Sequence, residues 1–312
     1  MKVLFMGTPD FAVPCLSAIV EDGANQVVGV VSQPDKPKGR GHKMQYTPVK
    51  EKALQYNIPV FQPETLRNNS FESELRELNP DVIVVVAYGQ LLPEYVLNYP
   101  KYGCVNVHGS LLPKYRGAAP IQRCVIDGEK KTGVTTMYMA KSLDTGDMIL
   151  KSETEIGEYE TAGELHDRLS VMGAELIVKT LAQISDGTAP REKQDDSQAN
   201  YAKMMSKETG HIDWSKPADE IIHLILGTNP WPVAYTSYKS ETMKIYMAKH
   251  GETVPPTARP GEIIAVNKKN LAVACGDGNS VLIEEIQFKG GKRMNVASYL
   301  NGHSIDAGEV LI

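Results

Sequence analysis

The sequence predicts an α/β protein, a doubly wound and mostly parallel sheet followed by a small OB-like β-barrel domain. Three observations predict it. The first half alternates apolar, β-branched runs with helical patterns, which is how a parallel sheet with helical crossovers reads. The second half carries five short strand-like runs within about 55 residues, broken by Gly, Pro, Asn and Asp, as a small barrel does. At 312 residues the chain is also too long for one ordinary domain and comfortable for two.

Each element has its own signal. Val3 to Met6 is the first strand, and Thr8-Pro9-Asp10 offers a cap and a first-turn proline for the helix that follows. Val27 to Ser32 is the second strand. Val82 to Ala87 is β-branched and apolar on both faces, the pattern of a central parallel strand. Cys104 to His108 and Val134 to Tyr138 complete the set, with Met148 to Glu155 expected at an edge. A long amphipathic helix runs from Thr161 to Ser185, capped near Thr161 and ended by Asp186-Gly187. Ala189 to Ser206 is polar and lacks a period, so it reads as a linker. Beyond it come a helix, Pro217 to Leu226, and five strands: Ala234 to Tyr238, Met243 to Lys249, Gly261 to Val266, Leu271 to Cys275 and Val281 to Phe288. The expected domains are therefore 1–188 and 207–312, joined by 189–206.

Composition narrows the function. With 42% hydrophobic and 23% charged residues and no low-complexity tract, the chain can bury a core without disulfides or a structural metal. A net charge of -5 argues against a protein that coats nucleic acid through bulk positive charge, while leaving room for a local basic patch. Cys15, Cys104, Cys124 and Cys275 are scattered, with no metal-ligand spacing, so no metal is expected and the thiols suit a reducing compartment. No run approaches the ~18 apolar residues of a membrane span. The first apolar run is too short for a signal peptide. A cytoplasmic protein with no membrane contact is expected, and since nothing demands a partner chain, a monomer.

Two motifs could carry chemistry. Asn106 and His108 stand two apart on a strand, so both side chains project from one face, at the end of the sheet where α/β folds bind ligands. The plainer reading is a hydrogen-bonded pair at a strand terminus. Leu143-Asp144-Thr145-Gly146-Asp147 follows the Val134 strand; Asp, Thr and Gly are also ordinary turn formers. Gly7-Thr8-Pro9 lacks the second and third glycines of a dinucleotide fingerprint, and no glycine-flanked serine elbow is present. Asn, His and Asp without a covalent nucleophile suit direct transfer between two bound substrates.

The stretch Asn106-Val107-His108-Gly109-Ser110-Leu111-Leu112-Pro113-Lys114-Tyr115-Arg116-Gly117-Ala118-Ala119-Pro120-Ile121 resembles the signature of the folate-dependent formyltransferases, and Leu143 to Asp147 resembles their second one. Met6 to Ala12, Gln33 to Pro37, Val86 to Gly89 and Asn229-Pro230-Trp231-Pro232 extend the similarity over essentially the whole chain, in particular to the members that act on methionyl-tRNA. The resemblance implies a Rossmann-like formyltransferase domain, 10-formyltetrahydrofolate as formyl-donor co-substrate, and the α-amine of initiator methionyl-tRNA as acceptor in translation initiation. It implies that Asn106 donates to the developing oxyanion, that His108 helps stabilise it, and that Asp144 orients His108 and helps move a proton from amine to folate nitrogen. Ser110, Leu111, Leu112 and Pro113 are expected to line the folate pocket, and Tyr88, Gly89 and Gln90 to hold the pterin.

Asp35 to Lys43 carries four Lys/Arg against one Asp. By composition that is usually an ordinary solvated loop; by resemblance it meets the acceptor end of the tRNA through Arg40, with Lys38 and Lys43 beside it, as salt-dependent contacts. From Lys207 onward, eleven Lys/Arg face twelve Asp/Glu, so a tRNA surface there must come from clustering, with Lys268, Lys269, Lys289, Lys292 and Arg293 as candidates. Trp231 reads as a packing residue. Thr228 departs from the aromatic residue common in the family. A formyltransferase acting on an amino sugar nucleotide is the nearest alternative, a folate hydrolase a further one, and a non-catalytic RNA-binding protein the alternative of another class.

Overall fold

The computed structural model describes residues 1–38 and 43–312, with Lys38 and Lys43 described by backbone alone. The chain begins β1 (Lys2–Gly7), α1 (Val13–Asp22), β2 (Gln26–Val31), β3 (Lys36–Lys38), β4 (Lys43–Gln45), α2 (Pro48–Gln55), β5 (Val60–Phe61), α3 (Glu72–Leu78) and β6 (Val82–Val86). It continues with α4 (Glu94–Leu97), β7 (Cys104–His108), β8 (Arg116–Gly117), α5 (Pro120–Ile126), β9 (Lys131–Tyr138), β10 (Met148–Glu155), α6 (Ala162–Asp186) and β11 (Tyr201–Ala202). Then follow α7 (Ala218–Gly227), β12 (Ala234–Tyr238), β13 (Glu241–Thr253), β14 (Ile263–Val266), β15 (Leu271–Ala274), β16 (Asn279–Phe288), β17 (Met294–Asn295) and α8 (Val296–Leu300). These elements form two compact units. One comprises Met1–Gly117, Thr132–Thr154 and His166–Tyr201; the other comprises Ala118–Lys131, Glu155–Leu165 and Ala202–Ile312.

The first unit holds a seven-stranded sheet in the order β10-β9-β7-β6-β1-β2-β5. β1, β2, β5, β6 and β7 run parallel, and β9 runs antiparallel to β7. Every residue of β6 is buried, as is β1 from Val3 to Met6, which explains why these runs are apolar on both faces. The chain steps from β1 outward to β2 and β5, then returns to β6 on the other side of β1. The switch point of the sheet therefore lies between β1 and β6, where the carboxyl ends open a crevice. β9 ends with Tyr138 opposite Val105, so the loop that carries Asp144 leaves from the far end of β7 and has to return to reach His108.

Thr8 corrects one expectation. It caps no helix: a 3-10 turn at Asp10–Ala12 comes first, and α1 has Pro14 in its own first turn. The Thr8 hydroxyl instead donates to the Tyr88 carbonyl (3.0 Å) and accepts from the Gln33 N–H (3.3 Å). Thr161 does cap α6. Its hydroxyl accepts from the Glu164 N–H at 3.2 Å while the Glu164 carboxylate accepts from the Thr161 N–H at 2.9 Å, a reciprocal capping box.

The second unit is an antiparallel sheet in the order β12-β13-β16-β15-β14, with β17 paired to β16. Residues 309–312 close it. On one side the Ile263 N–H donates to the Glu309 carbonyl and the Leu311 N–H to that of Gly261, both at 2.8 Å; on the other, Ser237 and Ile312 exchange N–H···O bonds of 2.7 and 3.1 Å. Full closure leaves neither β12 nor β14 as a free edge. α7 buries Ile221, Ile222, Ile225 and Leu226, carries Asp219 and Glu220 in its first turn, and ends at Thr228, whose buried hydroxyl donates to the Leu224 carbonyl at 2.7 Å. Trp231 overturns a second expectation: it is 54% exposed, while the buried Asn229 two residues earlier donates to the Tyr246 carbonyl at 2.8 Å. Among the described residues no helix is long and apolar enough to cross a membrane.

Candidate active site

β7 delivers the first two candidates. Asn106 sits opposite Val85 of β6 and Met137 of β9, and His108 opposite Thr135. Alternation puts both side chains on one face. The Asn106 side chain is half-buried and makes no hydrogen bond among the described residues. Its carboxamide is free to serve a ligand.

His108 is buried and fixed. Its Nε2 lies 2.9 Å from the Tyr115 carbonyl; a carbonyl only accepts, so Nε2 carries the hydrogen. Nδ1 then faces the Asp144 carboxylate at 3.8 Å. That is beyond direct hydrogen-bond reach, so the Tyr115 carbonyl is the group that orients the ring. The expectation that Asp144 orients His108 is corrected to that extent.

Asp144 is held from several sides. Its carboxylate accepts from the Gly117 N–H at 2.8 Å, and its carbonyl accepts from Gln194 Nε2 at 2.8 Å, which also donates to the Gly146 carbonyl. The buried Arg116 guanidinium grips Gln194 Oε1 through two N–H groups (2.9 and 2.8 Å) and Asp196 at 2.7 Å. Gly146 has no room for a side chain, since a Cβ there would sit 1.7 Å from the Tyr138 carbonyl oxygen. Ala87, Tyr115 and Asp144 all hold positive φ, at 47, 59 and 53°. For residues with a Cβ that costs on the order of 1 kcal/mol each and persists only where surrounding contacts impose it.

The loop between β7 and β8 is braced from within. Ser110 is fully buried; its hydroxyl donates to the Lys114 carbonyl and its own carbonyl accepts from Thr135, both at 2.7 Å. Leu112 is buried with Met137 and Met148, and its N–H donates to Thr135 Oγ1 at 3.1 Å. The side chains of Ser110 and Leu112 therefore shape the loop from beneath, and a ligand would meet their backbone. Leu111 and Pro113 are half-buried.

Tyr88, Gly89 and Gln90 follow β6, next to the strand that bears Asn106. Tyr88 is 2% exposed, its hydroxyl has no partner, and burial pushes its phenol up to about 12. Gly89 has φ +90°. Gln90 is spent on the loop before α3, accepting from the Leu66 N–H and donating to the Glu64 carbonyl, both at 3.3 Å. Lys38 and Lys43 face each other in the β3–β4 hairpin, and Arg40 lies outside the described residues. Among the described residues no cluster of His, Cys, Asp and Glu could hold a metal ion.

Sequence reasoning missed Arg116, Gln194 and Asn200 as parts of this site. Asn200 Oδ1 accepts from the Tyr115 N–H and the Asn200 carbonyl from the Arg116 N–H. The short polar side chains of the stretch read as a linker were the available signal.

A doubly wound sheet that presents a free amide, a fixed imidazole and a fixed carboxylate at its carboxyl edge has the groups that an enzyme of direct group transfer needs. Comparison with known proteins narrows the class: the family model described as formyl transferase matches residues 1–181, and that of the formyl transferase C-terminal domain matches 204–304. The chain belongs to the formyl transferase family, and its relatives there include the methionyl-tRNA formyltransferases of Alkaliphilus oremlandii strain OhILAs and Clostridioides difficile strain 630. The first is 55% identical over 311 residues, 100% of this chain and 99% of that protein; the second is 53% identical over 311 residues, 100% of both. The fold is also that of an N-formyltransferase from Helicobacter canadensis solved with folinic acid and dTDP-3-aminofucose (TM-score 0.68, 20% identity, 91% of this chain and 98% of that one). HypX from Aquifex aeolicus, solved with tetrahydrofolic acid, is similar too (TM-score 0.63, 14% identity, 99% of this chain and 50% of that one).

Proposed function

We propose that the protein transfers the formyl group of 10-formyltetrahydrofolate to the α-amine of initiator methionyl-tRNA, for translation initiation in the cytoplasm, as a monomer. The observation that carries this is identity above 50% to methionyl-tRNA formyltransferases along the entire chain. In the reaction the neutral amine attacks the formyl carbon, a C–N bond forms, and the carbonyl oxygen takes up the electron pair. The bond to the folate nitrogen then breaks, and one amine proton ends on that nitrogen.

The free Asn106 amide donates to the oxyanion. His108, held by the Tyr115 carbonyl, turns Nδ1 toward Asp144, which sets imidazole and carboxylate side by side for moving the proton from the amine to the folate nitrogen. The folate co-substrate lies against the backbone of 110–113 and the loop 88–90 at the switch point, where the open space at Gly89 suits a flat polar ring. No metal is required, since positioning and the oxyanion donor supply the catalysis. Lys38, Arg40 and Lys43 contact the acceptor end of the tRNA. Residues 1–188 are the catalytic domain, 189–206 the linker, and 207–312 the tRNA-binding barrel.

The test is transfer from 10-formyltetrahydrofolate to methionyl-initiator-tRNA, run beside uncharged tRNA and an amino sugar nucleotide. Formylation of the charged tRNA alone is expected. Transfer to the sugar alone overturns the acceptor, and formate release without transfer overturns the reaction.

A further inference from the structure

At the carboxyl edge of the sheet, beyond the groups assigned above, Gln33 stands out. Its backbone is tied at both ends: the N–H donates to Thr8 Oγ1 (3.3 Å) and the carbonyl accepts from Gln62 Nε2 (2.8 Å). The partners are themselves fixed. Thr8 donates to the Tyr88 carbonyl, and Gln62 bonds Asp35 (2.8 Å) and Lys50 (2.7 Å), which are joined to each other at 2.5 Å. Yet the Gln33 side-chain nitrogen is buried with no hydrogen-bond partner, one of only two such side-chain atoms among the described residues; the other, the Tyr88 hydroxyl, belongs to a ring packed in the apolar core. A buried donor without an acceptor costs free energy. A backbone this constrained gives the amide no easy way to turn aside.

We propose that Gln33 is a specificity-determining contact for the formyl acceptor, its carboxamide donating to an oxygen or ring nitrogen in the terminal nucleotides of the charged tRNA. This rests on the formyl-transfer reading above. Three observations select the nucleotides over the methionyl group. Gln33 follows β2, which is separated from the Asn106 strand by β6 and β1; three strand spacings make about 14 Å, beyond the reach of the methionyl group alone. The methionine thioether is in any case a poor acceptor for an amide N–H. Finally, the chain continues from Gln33 directly into Lys36, Lys38, Arg40 and Lys43, the charges that suit a phosphate backbone. The space before Gln33 is open: even a Cβ at Gly89 would meet only Gln33 Cγ, at 4.0 Å.

The experiment is steady-state formylation by full-length Gln33→Ala and Gln33→Leu, with charged tRNA varied at saturating folate and folate varied at saturating charged tRNA, beside thermal unfolding of each variant. The expected result is a loss of about tenfold in kcat/KM for the tRNA, kcat/KM for the folate within twofold of the parent, and a melting temperature unchanged or raised because an unpaired buried donor has gone. A loss confined to the folate, an equal loss in both, or no loss overturns the inference. Failure of the formyl-transfer reading looks different, since the parent protein itself would then leave charged tRNA unmodified.

Discussion

Two stretches of the sheet's carboxyl edge behave in opposite ways. Around His108 and Asp144 the polar groups are tied within the protein: imidazole Nε2 to Tyr115, carboxylate to Gly117, loop carbonyls to Gln194, and Gln194 to Arg116. Around Gln33 and Tyr88 the backbone is equally well tied, but two side-chain atoms have no partner among the described residues. The first stretch is finished before any substrate arrives and can hold charge at fixed positions without reorganising. The second has, at Gln33, a hydrogen bond left to make, and a substrate that supplies it gains affinity. Asn106, with its unpaired amide, belongs with the second stretch by its chemistry and with the first by its place.

That contrast can be broken at either end. The largest effect is expected from Asn106→Ala: a fall in kcat on the order of a hundred- to a thousandfold with almost no change in melting temperature, because the amide holds nothing inside the protein. Gln194→Leu should act the other way round. It strips donors from the Asp144 and Gly146 carbonyls and leaves Arg116 short of a partner, so denaturant unfolding should show a loss of about 2 kcal/mol, with activity falling in its wake. Thr8→Val comes next. It removes the tie between the two loops at the switch point, and about 1 kcal/mol of stability is expected to go, together with a rise in KM for the charged tRNA; an unchanged KM would mean that the 33 and 88 loops hold their places without it.

The smallest effect is a pH dependence. Burial pushes the Cys15 and Cys104 thiols and the Tyr88 phenol up to about 12. Each folded value lies above the unfolded one, about 8.5 for thiols and 10 for tyrosine, so the neutral forms stabilise the fold. That stability is fully present below about pH 8.5 and is lost as pH rises toward 12. Melting temperature should therefore decline through this window, and Cys15→Ala should flatten the first part of the decline.

The elements were legible because their signals are local. The β7 span Cys104–His108, the β12 span Ala234–Tyr238 and the Thr161 cap follow from alternation and capping chemistry carried by adjacent residues. What escaped depends on distant partners. Thr8 looks like a cap until the Tyr88 carbonyl, 80 residues away, is seen to take its proton. Gln194 looks like linker until Asp144 folds back beneath it, and Trp231 looks like core because indoles usually are. The site residues on β7 could be read from strand geometry, but the 3.8 Å gap between His108 and Asp144 could not, since β9 runs antiparallel and Asp144 arrives by a detour. An orphaned donor such as Gln33 leaves no trace in a sequence at all; it is defined by what fails to surround it.

The closure of the barrel has a consequence for how this chain survives its own synthesis. With Tyr235 already bonded by Ile212, β14 and the Ser237 end of β12 keep open N–H and C=O groups until residues 309–312 arrive between them, with a bond from Thr236 to Ile312 spanning 76 residues. Until then a neighbouring nascent chain can offer the same groups and take that place, so the seam is both the slowest pairing to form and the guard against strand exchange. A chain cut before Glu309 is accordingly expected to self-associate through its two bare edges, and size-exclusion chromatography with light scattering would show it as oligomers while the first unit remained folded.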